Sequence, residues 1–111
     1  MVVSKSSPFG SQTRTSTLIA LSLLGESYPR ELSRLLARAI YGVQEALAGL
    51  ERDGLVAARS AGRTRLYELN PRYFALSELR EYLNRLAEPE TELRNRIGTL
   101  RRRPRRAGKR L

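Results

Sequence analysis

The chain has 111 residues and a formal net charge of +10, enough for one small domain with tails and a balance that points toward nucleic acid or another anionic surface. It contains no cysteine and no histidine, which excludes disulfides, Cys nucleophiles, Ser-His-Asp triads and thiolate or imidazole metal sites. No metal, no cofactor and no enzymatic chemistry are therefore expected, and a cytoplasmic location is the simplest one.

The excess charge is unevenly placed. Arg101, Arg102, Arg103, Arg105, Arg106, Lys109 and Arg110 fall in residues 101–111 without an acid, so seven of the ten units sit there and three remain for residues 1–100. Such a run, with Pro104 and Gly108, reads as a basic disordered tail that adds nonspecific attraction to nucleic acid and carries no sequence recognition.

In chain order, residues 1–13 are Ser-rich, contain Pro8 and Gly10, and read as a flexible leader. A first helix is expected from about Thr15 to Leu24. Its Leu18–Leu24 stretch is apolar nearly all round, hence buried or shared with a second subunit, and far shorter than the roughly 20 residues that span a bilayer. No membrane partner is expected. Gly25 suits the exit of that helix. Ser27 is the expected cap of a second helix, with Pro29 in its first turn and Leu32, Leu35 and Leu36 on one face.

After a short turn, Ala37-Arg38-Ala39, a third helix is expected from Ile40 to about Asp53. Val43, Ala46, Leu47 and Leu50 form its apolar stripe, and Tyr41, Gly42, Gln44, Glu45 and Ala48 lie away from it. Gly54 closes it. Two strands, Leu55 to Ser60 and Arg63 to Leu69, are expected around a turn at Ala61-Gly62. Alternation puts Thr64, Leu66 and Glu68 on one face and Arg63, Arg65, Tyr67 and Leu69 on the other.

Asn70-Pro71 marks a further turn, and a final helix follows. Leu76, Leu79, Leu83 and Leu86 alternate at spacings of three and four, and the register continues through Leu93, Ile97 and Leu100 past Pro89, which kinks or restarts the helix. Two uses of that seam stand side by side: dimerisation together with Leu18 and Leu21, or packing on the chain's own first helix.

The run PRELSRLLARAIYGVQEALAGLERDGLV followed by GRTRLYELNP resembles the winged helix-turn-helix domain of small ArsR-like prokaryotic transcriptional regulators, over about Thr15 to Leu86. The resemblance implies a mainly α fold with a two-stranded β wing and a C-terminal helix, a homodimer, and an operator held by the third helix in the major groove. Metal sensing by cysteine and histidine does not carry over, since neither is present. The entrance to the third helix also departs from the pattern, with Arg38 at a usually apolar position and Ala39 at a usual Ser or Thr cap.

The contact chemistry follows from the side chains. Gln44 suits bidentate pairing with adenine, Glu45 accepts from cytosine, and Tyr41 packs on a thymine methyl or donates to phosphate, with Arg38, Ile40 and Gly42 around them. Arg63, Thr64 and Arg65 suit phosphate or a narrow minor groove. The free amides near Tyr28 and Arg30 at the start of the second helix suit a phosphate. Against each stands a plainer role: Gln44 and Glu45 as solvated surface, Arg63 as turn decoration, and Tyr67 as the packing residue that joins wing to body. The expected layout is a leader (1–13), a DNA-binding domain (14–70), a helical dimerisation region (71–100) and a tail (101–111). The function expected is that of a dimeric repressor bound to double-stranded DNA; a basic RNA- or ribosome-associated protein and a winged-helix protein interaction module are the alternatives.

Overall fold

The computed structural model describes residues 7–102, which form five helices and three strands. Residues 1–6 of the expected leader and 103–111 of the expected tail lie outside the described residues. Helix α1 is Gln12–Leu24, and its cap is Ser11, whose hydroxyl accepts the Arg14 amide at 3.1 Å. The helix therefore begins before the expected Thr15. Residues 7–10 of the expected leader form a turn, closed by the Gly10 amide on the Ser7 carbonyl at 3.3 Å. At the other end Gly25 takes φ 92° and donates to the Leu21 carbonyl at 2.8 Å, a positive-φ exit that glycine allows without steric cost.

Strand β1, Glu26–Ser27, was not expected; it adds a third strand to the sheet whose hairpin is the expected two-stranded wing. It pairs antiparallel with β3, Thr64–Leu69, which also pairs with β2, Val56–Ala61, giving the order β1-β3-β2. Ser27 is thus a strand residue and not the cap of the next helix. Its buried hydroxyl instead donates to Glu31 Oε1 at 2.6 Å. Tyr28 occupies the cap position of α2, Pro29–Leu36, without a side-chain bond, and Pro29 opens the helix as expected.

The turn after α2 rests on Ala37, held at φ 55° and ψ 46°. A left-handed alanine costs on the order of 1–2 kcal/mol. Two bonds across the turn offset that cost: the Arg38 amide donates to the Ser33 carbonyl at 3.1 Å, and the Ser33 hydroxyl donates to the Arg38 carbonyl at 2.5 Å. Helix α3, Ile40–Arg52, follows at once. Its inner stripe of Val43, Ala46, Leu47 and Leu50 is buried, as the spacing requires.

Helix α4, Leu76–Ala87, and helix α5, Thr91–Arg102, are separated at Glu88-Pro89-Glu90. Pro89 restarts the helix rather than kinking it, because it lacks the amide a continuous helix would use. Arg101 and Arg102, expected in the tail, are the last residues of α5.

The leucine seam turns inward. Leu18, Leu21 and Leu83 are fully buried, Leu79 is nearly so, and Leu76 and Leu86 pack against the same cluster. Helix α1 lies at the centre, touching α3, α4, α5 and the sheet. Leu18, Leu21, Leu79 and Leu83 are consequently core residues of the single chain, the packing on its own first helix that the sequence offered beside dimerisation. Leu93 and Ile97 are buried in the same cluster. Arg96 fixes α5 further by donating from Nη1 to the Leu35 carbonyl at 2.8 Å, one of the orphan carbonyls at the end of α2.

Candidate nucleic-acid interface

The inner stripe of α3 leaves its opposite face in solvent. Tyr41 is 70% exposed, and Ile40, Gln44, Glu45 and Ala48 are exposed with it, while Gly42 is half-buried. Ile40 and Tyr41 thus expose apolar surface side by side at the start of α3, next to the polar Gln44 and Glu45. Ala39 gives α3 no side-chain cap, so the first amides of the helix keep no partner from that residue. Arg38 is half-buried at the same entrance, Tyr28 is half-buried at the start of α2, and Arg30 is exposed beside it.

The wing divides its arginines into two kinds. The ladder closes with Ala61 opposite Thr64, so Gly62 and Arg63 form a two-residue turn with Gly62 at φ 66°. Arg63 belongs to the turn, not to the strand as expected. It and Thr64 are exposed, and Arg63 makes no ion pair among the described residues. Arg65 turns back to the body: its Nη2 lies 3.1 Å from Glu51 Oε2 near the end of α3, and its guanidinium carbon is 5.9 Å from the Tyr67 ring centre. Hydrogen bonding with Tyr67 first, and the Glu51 charge second, raise the Arg65 pKa above its ordinary value. Arg59 is likewise paired, 3.0 Å from Glu26. Tyr67 is half-buried against the core cluster, the packing role weighed for it from the sequence.

The two wing arginines expected to act together thus separate. Alternation along β3 correctly groups Arg65 with Tyr67 and Leu69, and from that face Arg65 reaches Glu51 of α3. Leaving the ladder frees Arg63.

One set of contacts behind the exposed face of α3 was missed in the sequence. Arg14 of α1 crosses Gly49 of α3 and pairs with Asp53, the C-cap residue of α3. A Cβ at Gly49 would stand 2.5 Å from Arg14 Nη1. The legible trace is a glycine in mid-helix with no turn to make. The positive guanidinium also lies at the negative end of the α3 dipole.

Among the described residues no three His, Cys, Asp or Glu side chains gather as metal ligands, and no helix is long and apolar enough to cross a membrane.

No family model matches the chain, and no curated protein matches it. Solved structures do. The crystal structure of the adhesin competence repressor AdcR from Streptococcus pyogenes superposes with a TM-score of 0.61 at 17% identity, covering 78% of this chain and 64% of that one. A mutant of Lactococcus lactis ZitR gives a TM-score of 0.58 at 21% identity, covering 78% of this chain and 61% of that one. A second ZitR mutant gives 0.53 at 19% identity, with 81% and 71% covered. The chain thus spans less than two thirds of the first two structures it matches. At these identities the likeness speaks to the fold, and with the α2–turn–α3 unit, the β2–β3 hairpin and the C-terminal helices it identifies that fold as a winged helix-turn-helix.

Proposed function

We propose that the chain is a sequence-specific regulator of transcription, of the ArsR-like kind its sequence resembles, that binds double-stranded DNA as a dimeric repressor in the cytoplasm. The observation that carries this is the outer face of α3: Tyr41, Gln44 and Ala48 stand in solvent while the inner stripe is core. A helix so presented fits the major groove, where Gln44 reads adenine and Tyr41 meets a thymine methyl or a phosphate. Glu45 accepts from cytosine N4. Arg38, Ile40 and Gly42 lie at the entrance, Tyr28 and Arg30 offer the start of α2 to a phosphate, and Arg63 and Thr64 carry the wing contact.

Arg65 holds the wing against Glu51 and contributes its charge from there. The name of AdcR, a repressor, agrees with the sign of regulation proposed. Pairing on a two-fold site follows from the small footprint of one winged module, roughly 600–1,000 Å² of protein surface. The dimer has to be built on surfaces other than the buried leucines.

The test is selection from random duplex DNA with the intact protein, repeated with Gln44→Ala and Arg63→Ala. A motif is expected, relaxed at one position by Gln44→Ala, with a loss of about 1–3 kcal/mol against the preferred base. Arg63→Ala is expected to weaken all sequences alike. An enriched motif that Gln44→Ala leaves intact at every position removes that residue from the interface, and failure to enrich any motif removes sequence-specific binding itself.

A further inference from the structure

A small cleft opens where the end of α1, strand β3 and helix α4 meet, and none of its residues is assigned to DNA contact. Its volume is about 230 Å³, below the roughly 300–1,000 Å³ of pockets that take drug-sized molecules, and Ser22, Gly25, Glu68, Arg80 and Asn84 are among its walls. The polar side chains there are uncommitted. Ser22, Glu68, Arg80 and Asn84 make no side-chain hydrogen bond and no ion pair among the described residues, whereas Arg14, Arg59, Arg65, Arg85 and Arg96 are each held by an acid. Arg80 has Leu76, Ser77, Leu83 and Asn84 three and four positions away, so its own helix offers it no acid. Glu68 stands opposite Glu26 in the ladder, but the Glu26 charge is offset by Arg59 at 3.0 Å. One carboxylate and one guanidinium therefore face the same small space without being bonded to each other.

A ligand of one sign would satisfy one of these groups and be repelled by the other, while a molecule that carries both signs satisfies both. The two ends of the cleft differ further. Gly25, the C-cap of α1, immediately precedes Glu26, the ladder partner of Glu68, so the negative end of the α1 dipole lies on the carboxylate's side. Asn84, one turn after Arg80 on α4, places an amide donor on the guanidinium's side. We propose that this cleft binds a small zwitterion, an α-amino acid with a short side chain, its ammonium directed to Glu68 and its carboxylate to Arg80 and Asn84. The side chain has to be short because the volume is small and the apolar wall, Leu21 and Leu69, is almost wholly buried. The site stands independently of the proposed DNA function.

Titration of the isotope-labelled full chain, followed by amide NMR shifts, tests the site with three probes: L-alanine, ethylammonium, which lacks its carboxylate, and propionate, which lacks its ammonium. L-Alanine is expected to give saturable shifts at Gly25, Glu68, Arg80 and Asn84, and each single-charge probe to bind about tenfold more weakly or worse. Glu68→Gln and Arg80→Gln should each weaken alanine by a similar factor, and Arg72→Gln, an exposed arginine outside the cleft, should leave it unchanged. Absence of saturable alanine binding overturns the proposal, as do saturable shifts that leave Glu68, Arg80 and Asn84 unmoved. A single-charge probe that binds as tightly as alanine, or a folded Arg80→Gln that binds alanine as well as wild type, overturns the choice of a zwitterion. Equal weakening by Arg72→Gln reduces the effect to overall charge and overturns the site. If Glu68→Gln fails to fold, Arg80→Gln and the two single-charge probes decide.

Discussion

Arg14 and Gly49 show how a single position serves the recognition helix from behind. A Cβ on Gly49 would meet the far end of a flexible side chain, Arg14 Nη1 at 2.5 Å, so Gly49→Ala forces the guanidinium to move rather than the backbone. Two small terms then oppose each other: alanine gains up to about 1 kcal/mol of helix propensity, and the half-exposed Arg14–Asp53 pair is worth roughly 0–1 kcal/mol. Net stability is expected to change by less than about 1 kcal/mol. The coupling between Arg14 and Asp53 should however vanish: a double-mutant cycle that gives a few tenths of a kcal/mol or more in the wild type should give zero in Gly49→Ala. A coupling that persists in that background would show that Arg14 does not need the glycine. Spacing alone placed Tyr41, Gln44 and Glu45 in solvent, because a helix with one apolar stripe has only one other side to show. Arg14 and Asp53 are 39 positions apart, and no local pattern relates them.

At the level of elements, the hairpin separates what alternation grouped. Period-two reading assigned Arg65, Tyr67 and Leu69 to one face, yet it could not say that α3 would bring Glu51 to that face, since this depends on how the helix crosses the sheet. Nor did two residues, Glu26-Ser27, carry a strand signal of their own; β3 recruits them by offering its free edge. The split has a measurable consequence for DNA binding. Each phosphate neutralised contributes about 0.9 to the slope of log affinity against log salt. Arg63→Gln is expected to reduce that slope by about one, because its charge is unpaired among the described residues and sits at the tip. Arg65→Gln is expected to change the slope by less than half as much, since Glu51 already holds its guanidinium. Equal effects from both would place the two arginines on phosphate together. The Pro29 start and the Gly25 exit of the helices were legible because each rests on a backbone property of one residue type.

For the whole molecule, the sequence supplied a leucine register but not the surface it would meet. An apolar seam is satisfied equally by a second chain or by the chain's own helices, and here α1, buried almost all round, needs that seam as its own cover. Leu83→Ala is therefore expected to cost about 2–5 kcal/mol in denaturant unfolding, independent of protein concentration; a midpoint that rises with concentration in the wild type and not in the variant would return Leu83 to an interface. The same separation of local pattern from global role governs the charge. Residues 103–111 carry Arg103, Arg105, Arg106, Lys109 and Arg110, half of the net +10, next to the C-terminal end of α5 and apart from α3 in sequence. If all five reach phosphates, they contribute about 4.5 to the salt slope of nonspecific binding, whatever the DNA sequence. Because they act alike on operator and random DNA, removing them should lower both affinities and leave their ratio unchanged or higher. Truncation after Arg102, measured on a selected motif and on random duplex across 50–200 mM salt, is expected to give that result. Loss of the motif preference itself would move recognition from the winged domain to the basic run, the behaviour of a protein that binds RNA or the ribosome through its tail.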